Sequence, residues 1–177
     1  MVIMLLLNAA DSARRVMPLS DFAIVNSVFG KLIADSTFLG YFGLTPASPM
    51  ADKVAKIQKE MEPSGLSANN IPLCCIYPIP GVRSRANAIV YDSMFEVAIY
   101  SNNSYSPVKL TSLQVGTMVI GERLIGNRAK KIEPLLHQVQ LTGATFKVEY
   151  QTSFQTTSNI AGIKKYVMRF KVGEVIE

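Results

Sequence analysis

The chain has 177 residues, 49% of them apolar and 18% charged, and 18 basic against 13 acidic side chains give a net charge of +5. A chain of this length makes one domain that buries about two-thirds of the surface its unfolded form exposes, so it needs no disulfides or metal to fold. The cations are also too dispersed for a polybasic tract: the tightest groups are Arg14-Arg15, Arg83 with Arg85, Arg128 with Lys130 and Lys131, and Lys164-Lys165.

Residues 1–19 read as an N-terminal extension and 20–177 as a single domain. The extension begins Met1-Val2-Ile3-Met4-Leu5-Leu6-Leu7. This run lacks the preceding basic region of a secretion signal, although Asn8-Ala9-Ala10 offers small residues for cleavage. It is far too short to span a bilayer. A docking strand or helix, one that inserts into a neighbouring subunit, is the expectation.

Pro18-Leu19-Ser20-Asp21 reads as a helix start, with Ser20 as cap. Phe22, Val25, Val28, Phe29, Leu32 and Ile33 then fall on one helical face. Asp35 restarts a short turn carrying Phe38, Leu39 and Phe42, which Gly43 stops. Thr45 to Pro49 is a linker. Asp52 to Met61 reads as a short helix with Val54 and Ile57 inward, followed by a polar loop over 62–70.

Ile71 to Tyr77 reads as a strand, and Pro78-Ile79-Pro80-Gly81 as a turn. Ala88 to Tyr100 is the clearest strand signal, with Ile89, Tyr91, Ser93, Phe95, Val97 and Ile99 on one almost wholly apolar face. Residues 112–125 admit a helix or a strand. Val115, Met118, Val119, Glu122 and Ile125 favour a helix, against which Gly116 and Gly121 each cost about 1 kcal/mol. Residues 126–134 read as a basic loop, Val139 to Thr152 as a strand, Gln151 to Gly162 as a long hairpin tip, and Gly162 to Val172 as a last strand. This order predicts an α+β domain: an antiparallel or mixed four-stranded sheet with helices packed on one face.

The chemistry of catalysis is sparse. The vicinal Cys74-Cys75 pair lies in an apolar stretch, and neighbours on a strand point to opposite faces, so the two form no ordinary disulfide. Buried, reduced thiols are expected. A Cys-His pair would have to use the single histidine, His137. One histidine and a vicinal cysteine pair make no usual zinc pattern, and no phosphate-binding glycine motif occurs. The expectation is therefore a non-enzyme with no catalytic, cofactor or metal site. The residues singled out are Arg83, Arg85, Arg128, Lys130 and Lys131, as candidates for subunit contact or weak DNA contact. Tyr91, Phe95 and Tyr150 could stack on bases, but at strand spacing they read as core.

A further pattern runs through the chain. A helix leads into Leu32-Ile33-Ala34-Asp35-Ser36-Thr37-Phe38-Leu39-Gly40-Tyr41-Phe42-Gly43. A Pro-containing strand from Ile71 to Pro78 follows, then a long strand ending Phe95-Glu96-Val97-Ala98-Ile99-Tyr100, then a helix. Two strands close the chain, the last carrying Gly162-Ile163-Lys164-Lys165-Tyr166-Val167-Met168-Arg169-Phe170. Over residues 20–175 this order resembles the tail terminator, or tail-completion, proteins of long-tailed bacteriophages. The chain is longer than compact members through residues 1–17 and 43–70.

The resemblance implies a structural virion protein at the head-proximal end of the tail, assembled in the host cytoplasm. Such proteins form a ring, usually hexameric, that stops tail-tube polymerisation and presents a surface for head attachment. The implied partners are copies of the chain itself, the tail tube protein and a head-completion or neck protein, with no membrane. DNA passing through the ring makes at most weak, non-specific contact. Exposed sheet edges and the hairpin tip near 153–161 are the expected contact elements. Two alternatives stand beside this reading: another neck connector or tail tube protein, since fold alone does not settle function, and a nucleic-acid-binding module.

Overall fold

A computed structural model describes residues 21–67, 69–83, 90–102, 132–142, 144 and 146–175. The expected helix over 112–125, the Ser20 cap and the N-terminal extension lie outside the described residues, as do Arg85, Arg128, Lys130 and Lys131.

Helix α1 runs Asp21–Ala34. It buries Ile24, Val25, Val28, Phe29 and Leu32, which recur at helical spacing and form one stripe against the sheet. Phe22 sits at the margin of that stripe in the first turn and is 75% exposed, so Ile24 takes the inward place expected for it. Helix α2 is Ser36–Gly40, and the Asp35 carboxylate accepts the Phe38 amide at 2.6 Å. This satisfies one of the amides that a helix start leaves without a partner. Its end is closed by Gly43, at φ 70°, with Gly43 N–H donating to the Gly40 carbonyl and Leu44 N–H to that of Leu39.

Helix α3 is Met50–Lys56, and the chain then enters a two-residue strand, β1, at Ile57–Gln58. The expected helix to Met61 is thus cut short. Val54 points outward at 47% exposure, and the inward place on α3 goes to Lys53, whose Nζ donates to the Pro46 carbonyl at 2.6 Å. Pairing explains the early stop. Ile57 and Gln58 lie in parallel register with Cys74 and Cys75, and Ile57 gains full burial there.

The remaining elements are β2 (Leu73–Arg83), β3 (Val90–Asn102), α4 (Ile132–Leu136), β4 (Val148–Thr157) and β5 (Ile163–Val175). They form one sheet in the order β1-β2-β3-β5-β4, antiparallel except at the β1–β2 junction. The class is α+β as expected, with five strands rather than four among the described residues.

Other boundaries moved for identifiable reasons. Pro78 to Gly81 is a register shift inside β2 rather than a turn ending it. Pro134 lies within α4, where the first helical turn needs no N–H from it. The strand expected over Val139 to Thr152 starts only at Val148, after a single bridge between Gln140 and Lys147. It then runs on to Thr157, so the hairpin tip shrinks to 158–162, with Gly162 at φ 82°.

Strand alternation divides the buried residues between two layers. On one face Cys74, Ile76, Phe95, Val97, Ile99, Val148, Met168, Phe170 and Val172 pack under the helices. Phe95 stacks on Phe170 with centroids 5.3 Å apart, and Tyr150 meets Phe170 edge-on at 5.8 Å. The base-stacking role considered for Phe95 and Tyr150 gives way to this core role. The other face carries a smaller cluster: Leu73, Cys75, Tyr77, Ala98, Tyr100, Ile163 and Val167.

Candidate functional site

The face away from the helices is where polar chemistry collects. Alternation along β5 places Lys165, Val167, Arg169 and Lys171 there, opposite Tyr100, Ala98, Glu96 and Met94 of β3. Register with β2 sets Tyr77 beside Glu96, and register with β4 sets Phe154 beside Val167 and Thr156 beside Lys165.

Glu96 is the centre of this arrangement. The residue is only 6% exposed. A buried carboxylate is costly unless it is paired, and here both oxygens are used. Oε1 accepts from Arg169 Nε at 2.9 Å and Nη2 at 2.6 Å, and Oε2 accepts from the Tyr77 hydroxyl at 2.7 Å. The guanidinium lies over the Phe154 ring at 5.8 Å. Nearby, Lys171 reaches Glu149 at 3.2 Å and Asp92 at 3.9 Å.

Lys165 is placed differently. Its Nζ sits over the rings of Tyr77 and Tyr100, at 5.4 and 5.5 Å. It also lines an open groove of about 420 Å³ with Glu62, Leu66, Tyr100, Thr156 and Ser158.

The titratable groups under this face keep their protons. Burial pushes the Cys75 thiol up to about 12, against the lowering effect of Lys165. Burial, then its hydrogen bond to Glu96, pushes the Tyr77 hydroxyl up. Burial, with Cys75 and Glu62 adding to it, does the same for Tyr100. On the opposite face Cys74 is raised well above the ordinary thiol value by burial and by Cys75. Both cysteines are free and buried. The histidine considered as their partner is engaged elsewhere: His137 Nδ1 accepts the Tyr150 amide at 3.1 Å. The thiols therefore lack the electropositive, accessible setting of a nucleophile.

Of the five cations singled out from the sequence, only Arg83 falls among the described residues, where its backbone pairs with Tyr91 at the end of β2. The cations that are brought together are Lys165, Arg169 and Lys171. Their shared face was legible in the alternation of β5. Their partners were not, because Glu96 is 73 residues from Arg169 in the chain. A lone acidic residue in an apolar strand, Phe95-Glu96-Val97, is the signal that could have pointed to a buried pair.

Among the described residues no group of His, Cys, Asp and Glu is disposed to hold a metal ion, and no helix is long and apolar enough to cross a membrane. No protein-family model and no curated protein matches the chain.

Proposed function

We propose that this chain is a structural subunit of a long-tailed bacteriophage. It closes a ring on the end of the tail tube, stops tube growth and offers the surface to which the head attaches. The observation that carries this reading is the sheet face opposite the helices. There Tyr77, Glu96 and Arg169 lock one another in place, and Phe154 and Lys165 stand partly exposed beside them. Aromatic and arginine side chains held rigid before association are the usual anchors of protein interfaces, because little side-chain freedom remains to be lost. We assign a neighbouring copy in the ring as the occupant of this face. The element order gives further support: α1 into the Asp35-capped turn, the Pro-containing β2, the long β3 and the closing β4–β5 pair follow the pattern on which the resemblance rests.

The geometry of ring closure then does the work. A head-to-tail contact whose rotation closes gives a ring, and one that does not gives a filament. Tail tube protein and a head-completion or neck protein would meet the two surfaces of the ring. Arg83, Arg85, Arg128, Lys130 and Lys131 would make at most weak contact with DNA in the lumen, sensitive to salt.

Light scattering on the purified protein, followed by negative-stain imaging with and without tail tubes, tests the proposal. Closed rings of about six subunits, free or on tube ends, are expected. Open filaments would move the assignment to a tube protein. Absence of rings both in solution and on tubes would overturn it.

A further inference from the structure

We propose that β4 pairs edge to edge with β4 of a second copy across a twofold axis at Gln155. The inference rests on the outer edge of the sheet and does not depend on the ring reading.

Among the described residues β4 is the last strand of the sheet on its side. The first half of its outer edge is occupied. Val148 N–H donates to the Val139 carbonyl, the Val148 carbonyl accepts from Gln138, and Tyr150 N–H donates to His137 Nδ1. After the register shift between Tyr150 and Thr152 the edge changes character. Ser158 N–H points at β5, donating to the Ile163 carbonyl. In an antiparallel ladder alternate residues direct both backbone groups to the same side. Thr156, Phe154 and Thr152 therefore face β5, and Ser153, Gln155 and Thr157 face outward. Among the described residues no backbone group pairs with those three.

Strands that remain at an edge are normally protected by Lys, Pro or a short length. The stretch Thr152-Ser153-Phe154-Gln155-Thr156-Thr157 has no charge and no proline. Its three threonines and Phe154 favour strands, and Phe154 is 41% exposed on it.

The stretch also complements itself. With the axis at Gln155, the two copies of Gln155 face each other and Ser153 faces Thr157. All of these are outward-facing residues, so each pair exchanges both of its N–H···O bonds. On the open face Phe154 comes opposite Thr156. No like charges meet at any position, and aromatic–Thr and hydroxyl pairs are favourable across strands. The segment 137–139 fixes the register by closing the rest of the edge. A second copy is thus the occupant whose chemistry the edge already matches.

Two measurements on the full chain test this. The first is amide hydrogen exchange at low-micromolar and near-millimolar protein. Protection at 153, 155 and 157 should rise with concentration. Protection that is independent of concentration would mean the chain covers its own edge, and free exchange throughout would mean the edge is bare; either overturns the proposal. The second uses Gln155→Lys and Gln155→Glu. Each alone places like charges opposite one another on the axis and should weaken pairing by up to about fivefold. Mixing the two variants should restore it as a heterodimer. Unchanged self-association of both variants, or no gain on mixing, would overturn the twofold.

Discussion

Arg169 holds Glu96 through a single carboxylate oxygen, Nε and Nη2 both donating to Oε1, and leaves Oε2 to the Tyr77 hydroxyl. The network therefore joins three adjacent strands, β2, β3 and β5, on one face. Arg169→Ala would leave a buried carboxylate with one partner. A loss of about 2–4 kcal/mol is expected, toward the low end because the arginine side chain is 37% exposed and water can replace part of its contact. Glu96→Gln keeps the shape, loses the charge and should cost about half as much. Urea unfolding with an unchanged m-value would measure both. A wild-type midpoint for Arg169→Ala would show that the pair contributes nothing to the fold.

Alkaline stability follows from the protons held by buried groups on the two faces of the sheet. Cys74, Cys75, Tyr77 and Tyr100 all bind their protons more tightly in the fold than in the unfolded chain. Their contribution is complete below the ordinary values, 9.0 for thiols and 10.0 for phenols. It is lost as pH rises, over the range from 9.0 to about 12 for Cys75. Stability should be flat between neutral pH and about 8.5. Above that it should fall by up to about 1.4 kcal/mol per pH unit for each group released on unfolding. Denaturant midpoints from pH 7 to 11 would show it, and Cys75→Ala should shallow the slope.

The thiols also offer a direct test against cysteine chemistry. Neither should react with a thiol reagent in the native protein at pH 8, and both should react in denaturant. Fast labelling of one cysteine in the native state would instead point to a reactive thiol.

Much of this fold could be read from the residues. The run from Ala88 to Tyr100 carries one almost wholly apolar face, and its inward set, Ser93, Phe95, Val97 and Ile99, is buried under the helices. Asp35 and Gly43 marked the ends of α2 because each carries a local device, a capping carboxylate and a left-handed turn. What escaped was set by distant pairing. Ile57 and Gln58 look helical in isolation and become a strand only because β2 lies alongside. Gln155 to Thr157 look like loop residues, polar and unpatterned, and are held extended by β5. The Tyr77–Glu96–Arg169 network was hidden for the same reason, since its members come from three strands.

Local devices should be separable from tertiary ones by mutation. Asp35→Ala removes the cap on Phe38 N–H and should cost about 1 kcal/mol, with Asp35→Asn close to wild type. Thermal melts of the two variants would distinguish loss of the cap from loss of charge.

Gly81 lies in the irregular part of β2, where a Cβ would run into the Asp92 carbonyl oxygen and the Tyr91 ring. The obstructing carbonyl belongs to the paired strand, so it cannot swing away as a side-chain tip would. Gly81→Ala should destabilise by about 1–3 kcal/mol. An unchanged melting temperature would mean that the β2–β3 hairpin yields there at little cost.

The position of β5 has a consequence for how the chain is made. It is the last of the five described strands in sequence, yet it sits between β3 and β4 and contacts both along its length. As the polypeptide leaves the ribosome, β2 and β3 can form their hairpin early, with one flank of β3 unsatisfied. That flank waits while roughly 70 more residues are synthesised, several seconds at about 5–20 residues per second. Native topology is thus withheld until synthesis of the sheet is complete. A truncated chain ending before Ile163 should emerge as a sticky intermediate that needs chaperone protection.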